Sequence, residues 1–236
     1  MRDGISGFDV DWQIDVHEHR GIDMLIQTKF RNPSAAHFGH DDGILAFAQP
    51  SAVTLYDAGT TIYGQGDPAG QLYIVEFGTV RLCRVSADGR RQISAFYFAG
   101  EMFGLEADEQ RHFYAESVDS VGIRVLRPSH GDMFNQSMLQ VALKGLTRAQ
   151  EHLMVLGRQN GTEKVAAFLL DIADRQGSDR VVELSMQRCD IADYLGLSFE
   201  TVSRILTKLK CSGTIRVPHV KLIELVDLEE LEYLRG

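Results

Sequence analysis

Positive charge is in short supply in this sequence. Lysine and arginine total 24 against 33 aspartates and glutamates, a formal net charge of −9. A chain of this balance has no general attraction for polyanions, so any nucleic-acid contact must come from a local basic surface. Cysteine is also scarce. Cys83, Cys189 and Cys211 are the only three, and none is spaced as CxxC or as a zinc site. That usage points to a reducing, cytoplasmic setting. Long hydrophobic runs are missing. VAAFLL at 165–170 is the longest, and it is far too short to cross a bilayer, so no membrane partner is expected. The opening MRDGISGFDV has no basic start followed by an apolar stretch, so no secretory leader is expected.

What is present is 236 residues of ordinary globular composition, enough for two domains. Residues 1–44 show no sustained period and read as an N-terminal extension. They carry His17/His19, a spacing that shares one side of a strand, and His37/His40, a spacing that shares one face of a helix. No cysteine joins either pair, and Gly39 disfavours the helix. A solvated tail without metal is the reading.

Residues 45–130 are short strands cut by turn signals. Gly59, Gly66-Asp67-Pro68, Gly78, Asp88-Gly89 and Gly100 recur at near-regular intervals. Leu72 with Ile74 and Val80 with Leu82 follow period two. Asp88-Gly89, between VRLCRV and QISAFYF, predicts a hairpin. A sandwich, roll or barrel is implied.

The period then changes. Over 131–159, Leu139, Leu146 and Leu153 recur every seven residues, with Ala142, Ala149 and Leu156 offset by three. These are the two columns of a heptad seam. They predict one long helix that pairs with the same helix of a second copy, because a lone helix cannot bury such a stripe. Packing on the strand region is the alternative.

Residues 160–236 begin where Asn160-Gly161 breaks that helix. Thr162 is the expected cap of the next helix. A short strand at VVELSM follows, then DIADYLGLSFETVSRILTKL, then two strands with a Pro218-His219 turn, and a last helix capped by Asp227. This order is that of a winged helix-turn-helix. The predicted fold class is therefore α+β: a roll of strands, a long dimerisation helix and a C-terminal winged helix-turn-helix.

In the twenty-residue stretch from Asp190, Gly196 sits at the reversal and Ser198 is a good N-cap. Val202, Ile205, Leu206 and Leu209 make the buried stripe of the second helix. Phe199, Glu200, Ser203 and Arg204 are left near its start, away from the core. A helix-turn-helix offers those positions to base edges in the major groove. Arg204 suits O6 and N7 of guanine, Glu200 the N4 amine of cytosine, and Ser203 a base or a thymine methyl. From Glu200 to Lys221 the segment is net positive, with Arg204, Lys208, Lys210, Arg216 and Lys221 against one glutamate in the reading. Lys208 is a candidate phosphate contact. The plainer reading makes Glu200 and Arg204 a surface pair four residues apart.

These residues resemble the superfamily of the cAMP receptor protein and FNR, and most closely its FixK-like branch, from about residue 45 onward. The Glu200-Thr201-Val202-Ser203-Arg204 match is the specific one. The resemblance implies a homodimeric transcription regulator, an activator that meets RNA polymerase, reading a TTGAT-N4-ATCAA-like palindrome. It places Arg188, Ser198 and Thr201 against phosphates. The strand region resembles that family's β-roll sensor domain. Members that bind cAMP follow Gly-Glu with an Arg-Ser/Thr-Ala cassette. Here Gly100-Glu101 is kept, but Arg111 is followed by His112-Phe113, with Glu106, Asp108 and Glu109 nearby. Surplus acid disfavours an anion site, so no cyclic nucleotide is expected, with a ligand-gated regulator as the alternative. FNR holds an iron–sulfur cluster on an N-terminal cysteine group. Residues 1–82 here contain no cysteine, so no cluster is expected, and nothing points to haem. A cupin-type enzyme is the reading from another class. It is weak, because His17 and His19 precede the strands and Asp23 stands where a glutamate is expected. Cys189, between Arg188 and Asp190 at a helix start, is the redox candidate. Oxidation there would set negative charge near phosphate.

Overall fold

Eight short strands follow one another because turn residues interrupt every apolar run. They are β1 (Val53–Tyr56), β2 (Thr61–Tyr63), β3 (Leu72–Phe77), β4 (Val80–Val85), β5 (Arg91–Tyr97), β6 (Met102–Phe103), β7 (Tyr114–Ser117) and β8 (Val121–Leu126). The computed structural model describes residues 52–126 and 132–235, with backbone alone over 132–134. The extension 1–44, with its His17/His19 and His37/His40 pairs, lies outside the described residues.

The strands form two antiparallel four-stranded sheets, ordered β1-β8-β3-β6 and β2-β7-β4-β5. The chain passes between the sheets at almost every turn, which rolls them into a jelly-roll-like sandwich. Tyr63, Val75, Val80, Phe103, Val121 and Ile123 fill it. Gly78 is required at its turn. Its φ is +83°, and a Cβ there would lie 2.5 Å from the Ser120 carbonyl oxygen. The Asp88-Gly89 hairpin forms as expected between β4 and β5.

β3 departs from the expected alternation. Leu72, Tyr73, Ile74 and Val75 are all buried. Tyr73 and Val75 face the roll interior. Leu72 and Ile74 pack with Leu126, Met102 and two residues of the long helix α1 (Asp132–Leu156), Met138 and Val141. A strand covered on both faces loses its period-two pattern.

After α1 come α2 (Gly161–Arg175), β9 (Val181–Glu183), α3 (Arg188–Leu195), α4 (Phe199–Cys211), β10 (Ile215–His219), β11 (Leu222–Leu225) and α5 (Leu228–Arg235). Thr162 is not the cap of α2. Asn160 is, with Oδ1 accepting from the Thr162 amide at 2.9 Å. A capping oxygen must sit two or three residues before its donor, and Thr162 is instead buried against the core. Pro218 and His219 do not form the wing turn either. They lie within β10, and the chain reverses at Val220-Lys221. The register slips between Arg216 and His219, and such an irregularity accommodates a residue with no amide proton. Asp227 caps α5 as expected, accepting from the Glu230 amide at 3.0 Å. β10, β11 and β9 make the three-stranded wing sheet.

One apolar cluster runs from the roll into the C-terminal region. Ile93, Phe96 and Phe98 of the roll share it with Phe168, Leu169, Ile191, Leu195 and Leu206. Among the described residues no helix is long and apolar enough to cross a membrane.

Candidate nucleic-acid interface

The reversal between α3 and α4 is built from two local signals. Gly196 ends α3 in the left-handed region, φ +62° and ψ +40°, where a side chain is disfavoured. Ser198 starts α4, its Oγ accepting from the Thr201 amide at 3.1 Å. Val202, Ile205, Leu206 and Leu209 are buried, as their spacing demands. The opposite edge of α4 is open. Phe199 is 50% exposed, and Glu200, Arg204 and Lys208 are exposed beside it.

The Glu200 carboxyl is held below the usual carboxylate range by its own backbone amide, then by the Ser198 hydroxyl, with Arg204 adding a smaller pull. Among the described residues no close salt bridge joins Glu200 to Arg204, and only the weaker electrostatic pull of Arg204 links the pair. Both side chains remain available to a partner. Ser203 differs from its neighbours. Its Oγ is shielded from solvent and has no hydrogen-bond partner among the described residues. Its carbonyl takes the Thr207 hydroxyl at 2.8 Å. Ser198 and Thr201 are joined through their hydroxyls at 3.0 Å. Arg188 opens α3 and is exposed. Cys189 follows it, half-buried, with Sγ 3.5 Å from Gln187 Oε1.

The heptad columns of α1 part company. Leu139, Leu146 and Leu153 are exposed, and Leu143 and Met154 extend the same stripe. Ala142, half-buried, and Ala149, exposed, border a cavity of about 350 Å³ against β5 and β6. Leu156 is half-buried and approaches Gly196. Heptad spacing does not record that the roll lies beside Ala142 and Val141 of α1.

Arg111 is not among the residues lining that cavity. It is 2% exposed, with its guanidinium 4.3 Å from the centre of the Tyr63 ring. Its Nη1 donates to the Gly104 carbonyl and its Nη2 to the Gln71 carbonyl at 2.6 Å. The side chain is committed to the roll.

Sequence reasoning missed a set of charged residues between the roll and the helix-turn-helix. Asp190 Oδ1 accepts from Arg81 Nη1 at 2.9 Å and Arg91 Nη2 at 2.6 Å, while its Oδ2 takes the Gln187 amide at 3.2 Å. Arg91 also reaches Asp193 Oδ2 from Nε and Nη2, at 2.9 and 2.7 Å. On the other side, Glu101 meets Arg175 Nη2 at 2.7 Å and Arg148 Nη2 at 3.0 Å. Arg175 donates further to the Phe96 carbonyl at 2.6 Å and lies over the Phe98 ring. The available signal was two aspartates three apart on one face of a predicted helix. Their partners lie about a hundred positions earlier in the chain, and no local pattern names them.

Two family models match the chain: a Crp-like helix-turn-helix domain over residues 163–234 and a cyclic nucleotide-binding domain over 53–136. The nitrogen fixation regulation protein FixK of Rhizobium meliloti is 43% identical over 185 residues, covering 78% of this chain and 88% of that protein. FixK of Bradyrhizobium diazoefficiens is 35% identical over 190 residues, covering 76% and 80%. The solved structure of FixK2 from Bradyrhizobium japonicum superposes with a TM-score of 0.76 at 32% identity, over 80% of this chain and 98% of that one. A roll, a long helix and a winged helix-turn-helix with an open recognition edge define a DNA-binding transcription regulator, and the chain belongs to the CRP/FNR superfamily. Within it, the chain falls in the FixK-like branch.

Proposed function

We propose that the protein acts in the cytoplasm as a homodimeric activator that reads a TTGAT-N4-ATCAA-like palindrome without cAMP and without an iron–sulfur cluster. The observation that carries this reading is the edge of α4. Glu200 and Arg204 stand exposed and unpaired by salt bridge at the start of a Ser198-capped helix whose other side is buried. Arg204 reads guanine and Glu200 cytosine, while Ser203 meets its base. Arg188, Ser198, Thr201 and Lys208 steady the duplex through its phosphates. The leucine stripe of α1 supports pairing of two copies, which sets the two α4 helices in successive major grooves about 34 Å apart. RNA polymerase is the partner of the bound dimer. Commitment of Arg111 to the Gly104 and Gln71 carbonyls supports independence from cyclic nucleotide.

Cys189 adds redox control to this reading. Peroxide converts the thiol to a sulfenic acid with release of water, and a second peroxide takes it to the sulfinic acid with release of another. The acid bears negative charge next to Arg188 and weakens phosphate contact. Footprinting of the purified protein on the palindrome, without effector, in reductant and in peroxide, tests target, effector independence and thiol control together. Protection in reductant that fades in peroxide, but persists in peroxide for Cys189→Ser, is the expected result. Equal protection of a scrambled duplex overturns the DNA reading. Equal peroxide sensitivity of wild type and Cys189→Ser overturns the redox part.

The cavity between α1 and the roll favours a second reading, in which a small molecule gates the same regulator. A rise in melting temperature with cyclic nucleotides would select it, since a ligand of the native state stabilises that state.

A further inference from the structure

We propose that Arg91 and Glu101 are positioning residues, which dock the helix-turn-helix on the roll in one orientation and thereby set α4 for DNA without an effector. The proposal rests on the DNA-reading function above and adds how the reading helix is held.

The two ionic clusters have opposite polarity. In one, roll cations Arg81 and Arg91 meet helix-turn-helix anions Asp190 and Asp193. In the other, the roll anion Glu101 meets Arg175 of α2. A rotation or slide that exchanged them would set like charges face to face, so the arrangement selects one docking geometry. The centres of the clusters are shielded: the Asp190 side chain is 1% exposed and those of Arg175 and Glu101 are 10% and 13%, while Arg91 and Asp193 lie at the rim. A buried charge that loses its partner is strongly disfavoured, so half-docked states are poorly populated.

Glu101 does more than join two bodies. Its Oε1 also takes Arg148 from α1. The glutamate therefore ties the roll, the helix that carries the leucine stripe, and α2 beyond the joint at 157–160. In a two-fold pair, the separation of the α4 helices depends on that joint. Fixing it in advance removes an ordering cost from DNA binding. Docking does not mask the reading edge, since Phe199, Glu200, Arg204 and Lys208 all stay exposed in the docked arrangement. A contact built to silence the protein by covering would bury them.

The test uses the full-length protein. Fluorescence anisotropy measures binding to the palindrome and to a scrambled duplex, and small-angle scattering measures the radius of gyration without DNA. Arg91→Glu should weaken palindrome binding by on the order of tenfold while scrambled-duplex binding, carried by the intact basic edge, stays the same. Its radius of gyration should rise. Adding Asp193→Arg should restore both. Glu101→Gln, nearly isosteric, should act in the same direction and serves if Arg91→Glu does not fold. A folded variant that binds the palindrome as well as or better than wild type overturns the proposal, as does an unchanged radius of gyration. A wild type that fails to prefer the palindrome refutes the DNA reading instead, and scattering still decides the docking.

Discussion

Arg91 on β5 and Asp190 on α3 lie 2.6 Å apart, Nη2 to Oδ1, across 99 residues of sequence. The carboxylate is hidden, and its second oxygen holds the amide that begins α3. One side chain thus supports a helix start and an inter-domain contact together. The Arg91 guanidinium is in turn held in its charged form, although burial opposes this, by Asp193 and Asp190.

Removal of that carboxylate leaves two arginines facing each other with less to neutralise them. Asp190→Ala should cost about 3–5 kcal/mol, the range for breaking a buried pair. Urea unfolding followed by circular dichroism checks it, and a loss under about 1 kcal/mol would place the pair among weak surface bridges.

Substitutions on the α4 edge should separate base reading from phosphate contact. Arg204→Ala should cost about 1–3 kcal/mol on the palindrome and relax preference at one guanine. Lys208→Ala should weaken every duplex alike and lower the salt slope by about one. Salt titrations on matched and mismatched duplexes distinguish the two outcomes.

The exposed stripe of α1 predicts the oligomeric state. Leu146→Glu puts a charge in the middle of Leu139, Leu143 and Leu153, and desolvating it in a seam is unfavourable. Sedimentation velocity should show wild-type dimers and variant monomers, with the variant losing palindrome binding. Ala142→Leu, half-buried beside the roll, should crowd the cavity.

His152 predicts a pH effect. It stacks on Tyr194 at 3.8 Å and its Nε2 contacts the Tyr194 carbonyl oxygen at 2.9 Å, joining α1 to α3. Burial pushes its pKa below the ordinary imidazole value, against smaller upward pulls from the Tyr194 carbonyl, Asp171 and Ser94. The unfolded chain therefore binds the proton first as pH falls. Stability should be full above about pH 6.5 and decline as pH drops towards the folded value. Melting temperatures from pH 7.5 to 5 should fall further for wild type than for His152→Gln.

Much of the reading edge was legible in the sequence because its determinants are local. Ser198 and Gly196 act within three or four residues, and the stripe from Val202 to Leu209 is written in one helical period. The turn before β11 was misplaced because Pro218 usually marks a reversal, yet a slipped register lets a strand hold it. Thr162 lost the capping role to Asn160 because the helix begins at Gly161, so Thr162 supplies the amide that the Asn160 oxygen accepts from. The concealed Ser203 hydroxyl depends on a rotamer, and residue order does not encode one.

By itself the sequence determined where strands give way to helices, which face of α4 is buried and which residues are left on its open edge, since short-range backbone chemistry and periodicity decide these. The tertiary structure alone decided that Arg91 and Asp190 share a contact, that Arg111 is occupied by carbonyls, and that α1 turns Leu139, Leu146 and Leu153 outward while Met138 and Val141 pack on the roll. Each of those depends on elements far apart in the chain being brought together. Close packing and the cost of an unpaired buried charge then select one arrangement among many that local pattern allows.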